Sequence, residues 1–237
     1  MKKAIFLLLS ALLPSCAYLP RPAKVPVATI ERGVAGSEEL VVFLPGRWST
    51  VGEFEKEGFF KLAAEKWPSA RLVAADLHLG YYRKATMAGR LHEDLILPAR
   101  RSGVETVRLV GISMGGMGAL VYDLEHPGEV DEMLLLSPYL GEEEVLAEIR
   151  QAGGLAKWEP GAIAGKDFSR KLWAGLKGRW KGAGKRPKVF LCCGTGDRLA
   201  DANRLFAKEF LGPDAQKWIP GAHDWETWRE LFKHASL

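Results

Sequence analysis

Six short apolar runs recur along the chain, each closed by turn or charged residues, and longer stretches of helical period lie between them. Runs such as Leu40-Val41-Val42-Phe43-Leu44 and Met133-Leu134-Leu135-Leu136 lack polar alternation, which marks strands buried on both faces. The runs predict strands at 40–44, 71–75, 106–110, 132–136, 188–193 and 216–219, and the periodicity between them predicts helices at 53–66, 86–97, 115–125, 199–210 and 225–235. In the second helix Met87, Leu91 and Leu95 recur every fourth residue as the expected buried stripe, and Pro98 is expected to end it. Strands alternating with helices predict an α/β architecture with a mostly parallel, doubly wound sheet. Residues 139–185 break the alternation. A connection of that length normally carries structure or function of its own, and this one holds Trp158, Trp173 and Trp180.

Composition bounds the picture without changing it. With 47% hydrophobic residues and eight tryptophans the chain has enough apolar surface for one ordinary globular domain. The formal charge of +4 falls to +2 when the two leader lysines, Lys2 and Lys3, are removed, which is no signature of nucleic-acid binding. Charge is polarised locally: residues 125–148 hold eight acids and no Lys or Arg, whereas 166–188 hold nine Lys or Arg against Asp167. The basic run is expected to pair with the acidic one or to form a solvated face, with anionic lipid headgroups as the other partner. Cys192 and Cys193 are neighbours on a strand, so their thiols should face opposite sides of the sheet and stay free. No metal-ligand spacing is present, so neither a metal nor another cofactor is expected.

The first residues read as a secretory leader. Lys2-Lys3 is a positive n-region and residues 4–13 an apolar h-region, too short for a bilayer span of about 20 residues. Leu13-Pro14-Ser15-Cys16 resembles a bacterial lipobox cut before Cys16, with a plain signal peptide as the alternative. Cys16 is then the lipid attachment site, on the outer membrane if the cell is Gram-negative. Residues 16–36 are expected to form a lipidated terminus and tether, and 37–237 the folded domain.

The chemistry centres on Gly111-Ile112-Ser113-Met114-Gly115. An apolar strand feeds this G-x-S-x-G turn and a helix follows at once, the context of a nucleophile elbow. Such a turn strains the serine backbone and aims the next amide, that of Met114, at developing negative charge. The serine needs a base and the base an orienting acid. Asp197 follows the strand at 188–193, with Asp201 and Asp224 as competing acids, and His223 follows the strand at 216–219. The order Ser113, Asp197, His223 is that of α/β-hydrolases. His78, His92, His126 and His234 are read as structural or solvated.

From about Glu39 to Phe232 the chain resembles an α/β-hydrolase of the esterase type, and Gly221-Ala222-His223-Asp224-Trp225-Glu226-Thr227-Trp228 is similar to the histidine segment of esterase-D-like and ferulate-esterase-like members. The resemblance implies an α/β-hydrolase fold with a helical cap insertion at about 139–185. It implies Ser113 as nucleophile, His223 as base and acid, and Asp197 as orienting acid. It also implies an oxyanion amide after the first core strand, where Pro45-Gly46-Arg47-Trp48 stands, from Arg47 or Trp48 beside that of Met114. The cap tryptophans then either line a lid for an apolar substrate group or pack the cap onto the body. Arg47, Tyr81, Tyr82 and Arg83 are candidates to reach the mouth. The function so implied is cofactor-free hydrolysis of a small carboxylic ester by a monomer. Acyl transfer or thioester hydrolysis on the same residues is the alternative, as is a binding protein on a decayed hydrolase fold.

Overall fold

A computed structural model of the chain describes residues 21–182 and 184–237. The leader and Cys16 lie outside the described residues. Along the chain the elements are β1 (Thr29–Gly33), β2 (Glu39–Leu44), α1 (Glu53–Lys56), α2 (Phe59–Lys66), β3 (Arg71–Ala75), α3 (Leu79–Arg83), α4 (Met87–Leu91), α5 (Leu97–Arg101), β4 (Thr106–Ile112), α6 (Met114–Glu125), β5 (Glu132–Leu136), α7 (Glu143–Gln151), α8 (Phe168–Trp180), β6 (Lys188–Gly194), α9 (Ala200–Phe210), β7 (Gln216–Ile219) and α10 (Trp225–His234).

The strands form one sheet in the order β1-β3-β2-β4-β5-β6-β7, parallel throughout except that β1 runs antiparallel to β3. Each core strand sends alternate residues to opposite faces. From β2, Leu40, Val42 and Leu44 enter a core shared with α4, α6, α8 and α9, while Val41 and Phe43 enter a second core under α2 and α10. Phe59 meets Phe232 edge-on at 5.3 Å in that second layer. The chain leaves β2 outward to β3 and returns on β2's other flank as β4, so strand order reverses between β2 and β4. In open α/β sheets the crevice at such a reversal is where ligands bind.

Three expectations need correction. The tether reading of 16–36 fails over its described part, because the folded body already includes residue 21. Arg21 pairs with Asp76 at 2.9 Å, the Val27 amide donates to Asp94 at 2.9 Å, and Thr29–Gly33 adds β1 to the sheet. Three prolines fit a tether, but here the segment is held by Asp76 just past β3, by Tyr81 of α3 and by Asp94 of the helical turn beyond it. Pro98 does not end its helix. A π-helical turn over His92–Ile96 joins α4 to α5, and Pro98 sits in the first turn of α5. There the i→i+4 ladder is already interrupted, so the missing proline N–H and its ring clash cost little. Finally, the helix expected at 53–66 is split by Gly58, whose φ of +78° suits glycine and ends α1.

The insertion is a structural layer. Trp158, Trp173 and Trp180 are all buried in the larger core. Their indole N–H groups donate to Glu148, to the Leu140 carbonyl and to Asp123. Asp123, fully buried on α6, also receives Arg179 at 2.6 Å, so α8 is riveted to the helix that carries the elbow. The tryptophans therefore pack the insertion onto the body and do not line a lid. The basic run finds acids on the same layer: Arg170 with Glu148, Lys177 with Glu159, Lys185 with Asp131.

Candidate active site

Ser113 lies between β4 and α6 with φ +53° and ψ −115°, a conformation that L residues rarely adopt. Its surroundings explain both flanking glycines. A methyl on Gly111 would come 2.5 Å from the Gly115 carbonyl oxygen, and one on Gly115 would overlap the Leu44 carbonyl oxygen. Met114 opens α6, so its amide has no intrahelical acceptor and points from the helix N-terminus. The elbow is braced from outside, since the hydroxyl of the half-buried Tyr82 donates to the Met114 carbonyl at 3.2 Å. Desolvation raises the pKa of that hydroxyl and keeps it a neutral donor.

His223 reaches Ser113 from the loop after β7. Gly221, at φ +154°, packs so closely on Thr227 that a methyl would come 2.5 Å from its hydroxyl, and the Ala222 amide donates to that same hydroxyl at 3.1 Å. The imidazole ring stands edge-on to Trp228 at 4.9 Å. Its Nε2 is 2.9 Å from Ser113 Oγ, and its Nδ1 is 2.7 Å and 2.9 Å from the two oxygens of Asp197. An ionised carboxylate only accepts, which assigns the ring proton to Nδ1 and leaves Nε2 free to accept from the serine hydroxyl.

Asp197 is buried beyond the end of β6. Burial opposes its ionisation, but hydrogen bonds from His223, the Leu199 amide and the Ser137 side chain outweigh it, so its carboxyl is held below the ordinary carboxylate range. The competing acids have other partners. Asp201 is 79% exposed in its side chain and pairs with Arg204, and Asp224 caps α10 by accepting from the Thr227 amide at 2.8 Å.

The turn after β2 borders Ser113: a methyl on Gly46 would lie 3.6 Å from Ser113 Cβ. Arg47 and Trp48 follow it, both exposed, with the guanidinium 4.9 Å from the indole. Tyr81 and Tyr82, expected as mouth residues, turn elsewhere. The Tyr81 hydroxyl bonds the Lys24 backbone and the Tyr82 hydroxyl bonds Met114, because α3 packs its tyrosines inward. Arg83, at the end of α3, is exposed. The remaining histidines have structural partners: His78 caps α3, His92 stacks on His126 at 4.1 Å, and His234 pairs with Glu230. Cys192 and Cys193 are free and buried, and burial pushes the Cys193 thiol up to about 12.

Sequence reasoning missed the supports of the acid. Ser137, fully buried at the end of β5 with φ +45°, donates its hydroxyl to Cys193 Sγ at 3.6 Å and acts beside it to lower the pKa of Asp197. Asn203 on α9 donates to the carbonyls of Pro138 and Leu199, tying the β5 exit to the acid loop. Neither stands in a motif; only the fold brings them to Asp197.

A reversed-order parallel sheet, an elbow serine and a histidine joined to a buried acid define an α/β-hydrolase. Residues 96–237, more than half of the chain, match the Esterase family ("Putative esterase"), and the chain belongs to that family as a hydrolase of the serine-esterase type. The matched region contains Ser113, Asp197 and His223. In fold the chain is similar to S-formylglutathione hydrolase FrmB of Staphylococcus aureus, at 15% identity over 91% of this chain and 96% of that one, with a TM-score of 0.58. It is likewise similar to the fluorophosphonate-binding serine hydrolase FphF of the same organism, at 14% identity over 88% and 96%, with a TM-score of 0.57. A third similar structure is Est1E of Butyrivibrio proteoclasticus, solved with ferulic acid, at 14% identity over 87% and 92% and a TM-score of 0.53. No curated protein sequence matches the chain.

Proposed function

We propose that the protein hydrolyses carboxylic esters by two-step acyl transfer through a Ser113-His223-Asp197 triad. One observation carries the reading: a single imidazole spans 2.9 Å to Ser113 Oγ and 2.7 Å to a buried carboxylate. Ser113 Oγ attacks the ester carbonyl while His223 Nε2 takes its proton. The carbonyl electrons move to oxygen, where the Met114 amide and one from Arg47 or Trp48 hold the oxyanion, each worth roughly 10²–10³ in rate. His223 returns the proton to the departing alcohol as the C–O bond breaks. Water then enters by the reverse sequence and frees the acid and Ser113. Asp197 holds the productive tautomer and balances the imidazolium throughout.

Labelling by a fluorophosphonate probe tests the nucleophile, and a panel of p-nitrophenyl esters of graded chain length tests the reaction. Ser113→Ala should abolish both while leaving the melting temperature nearly unchanged. A Ser113→Ala protein that still turns over esters at the wild-type rate sinks the mechanism. The envelope anchor belongs to the same proposal and rests on the leader pattern ending at Cys16. Mass spectrometry of the mature N-terminus decides it: acylated Cys16 supports the anchor, and an unmodified terminus made by ordinary signal cleavage refutes it.

A further inference from the structure

Arginine is used in this domain mostly as one half of an ion pair. Arg100 holds Asp131, Arg108 holds Glu39 and Glu132, Arg170 holds Glu148 and Asp167, and Arg179 holds Asp123. Two arginines on the catalytic rim depart from that habit. Arg47 follows Gly46, the residue against Ser113 Cβ, and Arg198 follows the triad acid itself. Both are exposed, and among the described residues neither pairs with a carboxylate.

Strand order puts them on opposite sides of the nucleophile. Along the carboxyl ends of β2, β4, β5 and β6 stand, in turn, Arg47, Ser113, Tyr139 and Arg198. Tyr139 is fixed at the centre, its amide donating to the Ser113 carbonyl at 2.9 Å. Burial and Glu142 raise the pKa of the Tyr139 hydroxyl, and Arg47 and Arg198 both oppose them, so the two arginines share its electrostatic surroundings. The nearby acids are already engaged, Glu142 by the Tyr139 hydroxyl and Asp197 by His223. The Tyr139 ring meets Phe168, which is 39% exposed, at 5.7 Å, so the rim also offers an apolar platform. Two guanidinium groups on either side of the nucleophile, neither in an ion pair among the described residues, are placed to meet an anionic group on the substrate. A guanidinium fork matches a carboxylate in shape as well as charge.

We propose that the site is selective for esters carrying a carboxylate, which lies between Arg47 and Arg198 while its carbonyl is presented to Ser113. This rests on the serine-esterase reading above and names its substrate class. Matched probe pairs test it. On the acyl side, p-nitrophenyl hemisuccinate is compared with p-nitrophenyl methyl succinate. On the alcohol side, para-acetoxybenzoate is compared with its methyl ester. Each kcat/KM is divided by the ester's second-order rate constant with hydroxide, which leaves out the attack of the hemisuccinate's own carboxylate on its ester carbonyl. The readout is the anionic-to-neutral ratio, in which general damage to the triad cancels.

The expected wild-type ratio is at least about ten on one of the two sides at low ionic strength, falling several-fold in high salt. In the Arg47→Gln/Arg198→Gln double variant it should drop towards one. The side on which the preference appears locates the anion on the acid or the alcohol half. A wild-type ratio of one or less on both sides overturns the proposal, and so does a preference that survives the double variant. Fluorophosphonate labelling of the same preparations separates the two readings. Labelled enzyme without anion preference fails this inference alone, whereas no labelling and no turnover of either probe fails the serine-esterase reading and this inference with it.

Discussion

The Ser137 hydroxyl, fully buried at φ +45°, donates to Cys193 Sγ at 3.6 Å and stands beside the Asp197 carboxylate, where it helps to hold that carboxyl's pKa low. A non-glycine residue in that region costs of order 1 kcal/mol or more and persists where the surroundings hold it in place. Here the Ser137 amide donates to the Cys192 carbonyl at 2.8 Å, so neighbouring strands hold the turn. Ser137→Ala should therefore lower kcat about three- to ten-fold with KM little changed, because the acid loses a buried polar neighbour while the substrate surface keeps its shape. Unaltered kcat in a folded variant would show that the contact orients nothing.

The three acids near the site separate by substitution. Asp197→Asn should cut turnover by about 10⁴, since an amide stabilises the wrong imidazole tautomer. Asp201→Asn should stay within a few-fold of wild type, its carboxylate serving only Arg204. Asp224→Ala should lose about 1 kcal/mol of stability through the α10 cap, measured by urea unfolding, with activity reduced only as far as the His223 loop loosens.

Asp197 also sets a pH dependence. Its folded-state pKa lies below the ordinary 3.8, so its ionisation contributes stability above that value and the contribution is lost as pH falls through the lower folded-state value. Urea midpoints measured downward from about pH 5 should fall more steeply for wild type than for Asp197→Asn. Parallel curves would mean that the carboxylate gains nothing from His223 and the Leu199 amide.

Gly115→Ala should be more damaging than a surface glycine change by several kcal/mol, because its methyl collides with backbone rather than with a movable side chain. Gly178→Ala, where a methyl meets open space in α8, is the control and should be neutral or stabilising. Thermal melts of both variants decide the comparison.

Truncation tests the revised domain boundary. A chain beginning at Arg21 should melt with the longer protein, whereas one beginning at Ser37 loses β1 and should be less stable by more than about 2 kcal/mol. Equal midpoints would restore the tether reading for residues 29–33.

The core strands were legible because most carry an unbroken apolar stretch, such as residues 40–44 or 133–136, and the elbow because two glycines frame a serine between a strand and a helix. Asp197 and His223 were legible by position, each the first suitable side chain beyond a strand end. β1 was not: Thr29-Ile30-Glu31-Arg32-Gly33 has no apolar run, and what holds it is pairing with β3 and the Arg71–Glu31 contact. Edge strands draw stability from a neighbour, which a local pattern does not record. Ser137 and Asn203 were invisible for a related reason, since their roles exist only once β5, β6 and α9 have come together. The tryptophans of the insertion left two readings open, because burial and substrate contact favour the same side chains.

The antiparallel course of β1 has a consequence for how the molecule faces its surroundings. Because β1 runs against β3, the polypeptide enters the body at the carboxyl edge of the sheet, where Ser113 opens. Arg21 there touches both Asp76 and the Ser49 carbonyl of the turn beside the nucleophile. A lipid on Cys16 would be five residues away, a reach of at most about 18 Å. Lengthening that stretch with a flexible insert and comparing turnover of micellar and dissolved esters would measure how far the geometry matters. An anchor placed there would be a short leash fastened beside the mouth, one that would turn the open side of the enzyme towards the lipid and its closed side towards the solvent.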